Sequence, residues 1–191
     1  MPLVAPGPIE SPRLLVRLLS EADLPALLEV NAVEEVTRLL PYATWTSMAD
    51  AEAWHRRMQG IQATGLALQF VIVGKVAGKA IGTCLLFRYE EASRRAELGY
   101  ALGRAHWGQG LMQEALTALL DTGFGGMGLR RVEAEIDLRN RPSAALVQRL
   151  GFTREGVLRE RWLGKDGTAG DFAFYGLLAK EWQRAPGDAK A

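Results

Sequence analysis

Apolar residues alternate with polar ones in several short runs, and between those runs they recur at helical spacing. RLLVRLL sets Leu14, Val16 and Leu18 on one face against Arg13, Leu15 and Arg17, which predicts a first strand. Ser20-Glu21-Ala22-Asp23 then reads as a helix start, a serine cap with acids in the first turn, and Leu24, Leu27, Leu28 and Val30 supply its buried stripe. A second helix is expected from Thr46 or Ser47 through Met48, Ala51, Trp54, His55 and Met58, ending near Gly60. LALQFVIVG, KAIGTCLLF and RRAELGYAL follow one another through short polar turns, a pattern that favours an antiparallel meander over a doubly wound parallel sheet. After a longer helix that ends in the glycines of residues 123–128, RRVEAEID alternates Val132, Ala134 and Ile136 with Glu133, Glu135 and Asp137. Asn140-Arg141-Pro142-Ser143 opens a short helix that stops at Gly151. FTREGVLRERWL and DFAFYGLLAKEW make a final hairpin around Gly164-Lys165-Asp166-Gly167. No repeat or linker divides the chain, so one α+β domain is expected.

Between Glu97 and Leu120, ELGYALGRAHWGQGLMQEALTALL, strand spacing gives way to helix spacing around two glycines. Leu98, Tyr100 and Leu102 share one strand face, and Glu97, Gly99 and Ala101 the other. Gly108 and Gly110 free the backbone of Cβ obstruction, and the helix that follows offers unpaired N–H groups carrying about half a positive charge. Strand, Gly-x-Gly turn and helix N-terminus together form a diphosphate cradle. A P-loop is excluded because Leu111 stands where a lysine would follow Gly110. A dinucleotide fingerprint is disfavoured because Gln113 replaces its third glycine and the strands do not alternate with long helices. Coenzyme A carries its diphosphate on the same kind of backbone feature.

Composition narrows the setting. The 191 residues suffice for one buried core, and a formal net charge of +1 argues against a nucleic-acid partner held by global charge. Cys84 is the only cysteine, so no internal disulfide and no Cys/His metal pattern is available, which suggests a reducing, cytoplasmic setting and no metal. No run approaches the ~18 apolar residues of a membrane span. The proline-bearing start reads as a flexible leader over residues 1–10, with the domain over 11–183 and a flexible tail over 184–191.

Three segments in order, SPRLLVRLLSEADL, AELGYALGRAHWGQGLMQEAL and NRPSAALVQRLGFTREG followed by FYGLL, resemble the GNAT-type N-acetyltransferase superfamily. They are most similar to the branch that acetylates the N-termini (alanine or serine) of ribosomal proteins. The resemblance spans nearly the whole chain. It implies a curved, mixed but mostly antiparallel sheet of about seven strands, with a central splay and about four helices. It implies acetyl-CoA as acetyl donor, with the pantetheine arm on the backbone of Tyr100, Ala101 and Leu102. The diphosphate would be wrapped by His106, Trp107, Gly108, Gln109, Gly110, Leu111 and Met112, and Asn140 would contact the cofactor arm or satisfy its own turn. The family pattern opens this loop with Gln or Arg; here Ala105 stands there, which removes a side chain but no backbone donor.

The implied reaction moves an acetyl group to a primary amine in a ternary complex. An α-amine with pKa near 8 is about one-tenth neutral at pH 7, whereas a lysine at about 10.4 is neutral roughly once in 2,500, a handicap of about 3 kcal/mol. Glu97 is the candidate base, or else a carboxylate paired with Arg95 or a neighbouring strand. Ser143 matches a family position near the thioester sulfur, where a hydroxyl could protonate the leaving thiolate; it could equally cap its helix. Tyr42 and Trp45 either wall a cleft or plug the core. Tyr175 and Cys84 read as core, His55 as part of a solvated helix face, and His106 as packing against the loop. The acceptor is a protein N-terminus or a small amine, a homodimer through the final hairpin is possible, and the competing reading is an acyl-CoA sensor or assembly module without turnover.

Overall fold

A computed structural model describes residues 2–165 and 167–182. The expected tail over 184–191 and Asp166 of the expected turn lie outside the described residues. Eight strands are formed: β1 (Ile9–Glu10), β2 (Leu14–Leu18), β3 (Leu68–Gly74), β4 (Lys79–Glu90), β5 (Arg95–Leu102), β6 (Arg131–Asp137), β7 (Thr153–Leu163) and β8 (Ala169–Leu178). The helices are α1 (Leu24–Asn31), α2 (Glu34–Thr37), α3 (Met48–Ala63), α4 (Leu111–Phe124) and α5 (Arg141–Arg149), with single 3-10 turns at Glu21–Asp23 and Arg104–His106.

The strands make one sheet in the order β1-β2-β3-β4-β5-β6-β8-β7. The β3–β4–β5 meander is antiparallel, as its short turns require. Among the described residues the sheet's single parallel pair joins β5 to β6, and that pairing covers only Arg95–Glu97 against Arg131–Glu133. Beyond Glu97 the two strands part. Helices cover both faces. Leu116, Leu119 and Leu120 of α4 and Val147 of α5 pack on one face against Phe70, Leu86, Leu98 and Ala134. Leu24 and Leu27 of α1 and Trp54 and Met58 of α3 pack on the other against Val71 and Val73. Strands β2 and β3 are therefore covered on both sides, which accounts for the nearly unbroken apolar run of LQFVIVG.

Three features differ from the sequence-based expectation. The expected leader is held: Ile9–Glu10 adds an eighth strand on β2, and Leu3 is buried with its N–H bonded to the Gly65 carbonyl at 3.0 Å. Helix α3 continues past Gly60 to Ala63, because a helical glycine in open space weakens a helix without stopping it. His55 is buried rather than solvated, since Ala51, Trp54, His55 and Met58 share the inward stripe of α3.

Gly82 has no side chain for a steric reason. It lies opposite Leu102, and a Cβ there would stand far inside contact with the Ala101 carbonyl oxygen and 3.1 Å from the Leu102 Cα. Gly82→Ala is expected to lower stability by about 1–3 kcal/mol, because backbone rather than a flexible side chain must move. Denaturant unfolding measures this, and an unchanged midpoint would show that the two strands are not held in this register.

Candidate active site

The loop between β5 and α4 is shaped by its own hydrogen bonds. The Trp107 indole donates to the Leu102 carbonyl at 2.7 Å, and the Gln109 side chain donates to the Ala105 carbonyl at 2.9 Å. Arg104 stacks over the Trp107 ring at 4.9 Å. Gly108 and Gly110 both take φ of 74°, the left-handed region that other residues adopt only with strain, and Gly110 is the N-cap of α4. The backbone N–H groups from Gly108 to Gln113 have no acceptor among the described residues. Glu114 braces the far side. It accepts from Ser11 Oγ at 2.7 Å, from the Arg13 backbone at 2.8 Å and from Arg13 Nε at 2.6 Å. Burial alone would raise the Glu114 carboxyl; those bonds outweigh it and hold it below its ordinary value. The braced loop is a row of unpaired donors at a helix N-terminus, which is the chemistry a diphosphate needs.

A gap leads inward from this loop. The Gly103 N–H bonds the Ile81 carbonyl on β4, so by alternation Leu98, Tyr100 and Leu102 direct their backbone groups away from β4. Strand β6 no longer takes them, and an extended arm lying in the gap could. The gap widens into a cavity of about 680 Å³ whose lining includes Glu97, Tyr100, Ala101, Asn140 and Ser143. The sequence-predicted site residues thus fall in two places: His106 to Met112 at the loop, to which Leu102 is tied through its carbonyl, and Glu97, Tyr100, Ala101, Asn140 and Ser143 around the cavity.

Two polar pairs flank the gap on opposite faces of the sheet. On the α4/α5 face the Tyr100 hydroxyl lies 2.6 Å from Ser143 Oγ. Ser143 sits in the first turn of α5, and its backbone N–H bonds Asn140 Oδ1 at 3.2 Å, so Asn140 caps the helix that presents the hydroxyl. Burial pushes the Tyr100 phenol up to about 12, with the Ser143 bond acting against it. The family resemblance assigns Tyr100 only a backbone role; a tyrosine on an otherwise apolar strand face, whose hydroxyl needs a partner once buried, is the signal in the sequence for more.

On the α1/α3 face, Glu97 is 7% exposed and pairs with Arg88 at 2.7 Å, not with Arg95. Arg95 instead joins Glu90 and Glu133. The Arg88 guanidinium also reaches Glu135 at 3.1 Å, and Glu135 further accepts from Arg161 and from the Trp162 indole. Burial raises the Glu97 carboxyl above its ordinary value, and Arg88 offsets this only in part. Sequence reasoning missed Arg88. In unbroken alternation it would follow Cys84 and Leu86 onto the core face. Between the pairs Phe87–Glu97 and Glu90–Arg95, however, two residues of β4 oppose Ala96 alone, and Arg88 takes φ of 51°. That bulge turns Arg88 into the cavity.

The remaining candidates fall away from the chemistry. Trp45 is buried against Trp54 at 5.4 Å between ring centres, while Tyr42 beside it lines the cavity, so one aromatic plugs the core and the other walls the cleft. Cys84 and Tyr175 are core residues, and burial pushes the Cys84 thiol well up, away from a reactive thiolate. Among the described residues no helix is long and apolar enough to cross a membrane, and no group of three or more His, Cys, Asp or Glu is placed to hold a metal ion.

The family described as acetyltransferase (GNAT) domain matches residues 13–153. The chain is 34% identical over 170 residues to the uncharacterized N-acetyltransferase p20 of Bacillus licheniformis, covering 89% of this chain and 95% of that protein. It is 30% identical over 179 residues to the [ribosomal protein uS5]-alanine N-acetyltransferase of Escherichia coli (strain K12), covering 89% and 90%. In fold it matches spermidine N-acetyltransferase from Vibrio cholerae, solved in complex with CoA and spermine, with a TM-score of 0.77 at 20% identity over 90% of this chain and 99% of that one. With the unpaired loop donors, the parting strands and these matches along most of its length, the chain belongs to the GNAT acetyltransferase family, a family of acyltransferases.

Proposed function

We propose that the protein transfers an acetyl group from acetyl-CoA to the α-amine at the N-terminus of a protein or peptide. The observation that carries this reading is the placement of a carboxylate and a hydroxyl pair on opposite faces of one gap, Glu97 on one side and Tyr100–Ser143 on the other. Acetyl-CoA fits the loop because unpaired N–H groups at Gly108–Met112 suit its diphosphate, and backbone at Leu98 and Tyr100 suits its amide-bearing arm. The neutral amine attacks the thioester carbonyl carbon from the α1/α3 side and gives up a proton to Glu97, directly or through water. The C–S bond breaks with its electron pair on sulfur. Ser143 supplies a proton to that sulfur and recovers one from Tyr100; Tyr100 takes up a proton from solvent and Glu97 releases the amine's proton to solvent, so that on balance the amine loses one proton and the thiol gains one. An α-amine suits a single carboxylate base, because it is already about one-tenth neutral at pH 7. The E. coli relative, named for an alanine N-terminus, supports this acceptor class.

Release of free thiol from acetyl-CoA, measured across N-terminal peptides, lysine side-chain amines and polyamines, tests the reading. The expected result is release with free N-terminal peptides and none with peptides blocked at the N-terminus. Release with polyamines alone would refute the acceptor. Ser143→Ala is expected to lower kcat about 10²-fold, the scale of a lost general acid, with calorimetric affinity for coenzyme A retained. Unchanged kcat would remove Ser143 from proton delivery.

A further inference from the structure

The cavity carries cationic side chains that no described carboxylate pairs with. Five cationic side chains line the cavity against three carboxylates, although the whole chain is nearly balanced at +1. The carboxylates are all occupied: Glu97 and Glu135 by Arg88, Asp137 by Arg139. Arg38, Arg57 and Lys165 have no carboxylate partner among the described residues. They come from three separate parts of the fold. Arg38 follows α2, Arg57 lies on α3 close enough to Tyr42 to favour ionisation of its phenol, and Lys165 lies in the turn between β7 and β8. The Lys165 ammonium donates to the Thr37 carbonyl at 2.7 Å, which sets it next to Arg38 in the chain. Burial holds the Lys165 ammonium below its ordinary pKa, and Glu34 offsets this only in part. These three cations line one cavity with no described carboxylate within ion-pair distance of them, and the potential they create favours an anionic group on whatever enters.

We propose that the acceptor carries a carboxylate a short distance from its amine, bound by Arg38, Arg57 and Lys165 while the amine meets Glu97. This rests on the peptide-acceptor reading above and narrows it to peptides with Asp or Glu in the positions next to the N-terminus. The same wall repels a polyamine, which is cationic along its length.

The test compares Ala-started peptides bearing Asp, Ala or Lys at the second and third positions, together with free aspartate and spermine, in the thiol-release assay. Asp is expected to raise kcat/KM over Lys by at least about tenfold, and raised salt to shrink the ratio. The double variant Arg38→Gln/Arg57→Gln is expected to lose most of that ratio while keeping its calorimetric affinity for coenzyme A. Free aspartate turned over as fast as the Asp peptides would keep the carboxylate reading and assign the carboxylate to a small amino acid. A ratio near one in the unaltered protein, or a ratio unaffected by the double variant, overturns the proposal. So does weakened coenzyme A binding in the double variant, which would assign the guanidiniums to the donor's phosphates. Turnover of spermine with none for any peptide would overturn the peptide reading itself, and this proposal with it.

Discussion

Glu97→Gln is expected to lower kcat about 10²-fold or more while leaving affinity for coenzyme A unchanged. The side chain keeps its volume and can still receive a hydrogen bond from Arg88, so the cavity is preserved and only the proton-accepting capacity is lost. The pH profile separates this from a structural effect. Glu97 accepts a proton only when ionised, and its carboxyl is raised, with burial the largest cause and Arg88 opposing it. In the unaltered protein the rate should therefore climb with pH through an acid limb above the ordinary carboxylate range, and that limb should vanish in the variant. Stability should move the other way. A carboxyl raised by folding contributes stability that is fully present below its unfolded pKa and is lost as pH rises through the folded one, so near neutral pH its ionised form is a cost. Removing that charge should not lower the neutral-pH melting temperature. Unchanged rates at every pH would take Glu97 out of the base role and leave it as one anchor of Arg88.

Gly110→Val is expected to weaken coenzyme A binding by at least about tenfold and to destabilise the fold by about 1–3 kcal/mol, the scale of a residue forced into a sparsely populated backbone region. Gly110 has φ of 74°, a conformation that a β-branched residue adopts only with strain. If the backbone relaxes instead, the first N–H groups of α4 turn away from the direction in which Gly108 to Met112 now converge. Its Cβ would also approach Arg13 Nη2, at 3.6 Å before the valine methyls are added, and Arg13 is part of the brace on Glu114. Calorimetry with coenzyme A and thermal unfolding read the two effects separately. Equal affinity in a folded variant would show that the diphosphate does not rest on this turn.

The elements most open to reading from sequence were those whose period is local. Strand alternation in RRAELGYAL and RRVEAEID placed the apolar and acidic faces correctly, because side chains along a strand must alternate whatever lies beside it. The two glycines marked the left-handed turn before α4, because few other residues take that backbone without strain. The family resemblance then implied that β5 and β6 part, and pairing does stop at Glu97–Glu133.

Where periods are interrupted, only the tertiary structure decided. The bulge in β4 reversed the face of Arg88, and alternation carries no mark of an added residue. The partner of Glu97 followed from that bulge: of the two expected alternatives, Arg95 or a neighbouring strand, it is the neighbouring strand, through Arg88 of β4. The Tyr100–Ser143 pair joins residues 43 positions apart, and the Lys165–Thr37 bond joins residues 128 apart. Such contacts depend on how the helices and the last hairpin pack onto the sheet, which no local spacing encodes. The sequence by itself determined the strands from β2 onward, the glycine cradle and the family they resemble. Packing alone decided which charges meet across the cavity and which of them are left facing an incoming acceptor.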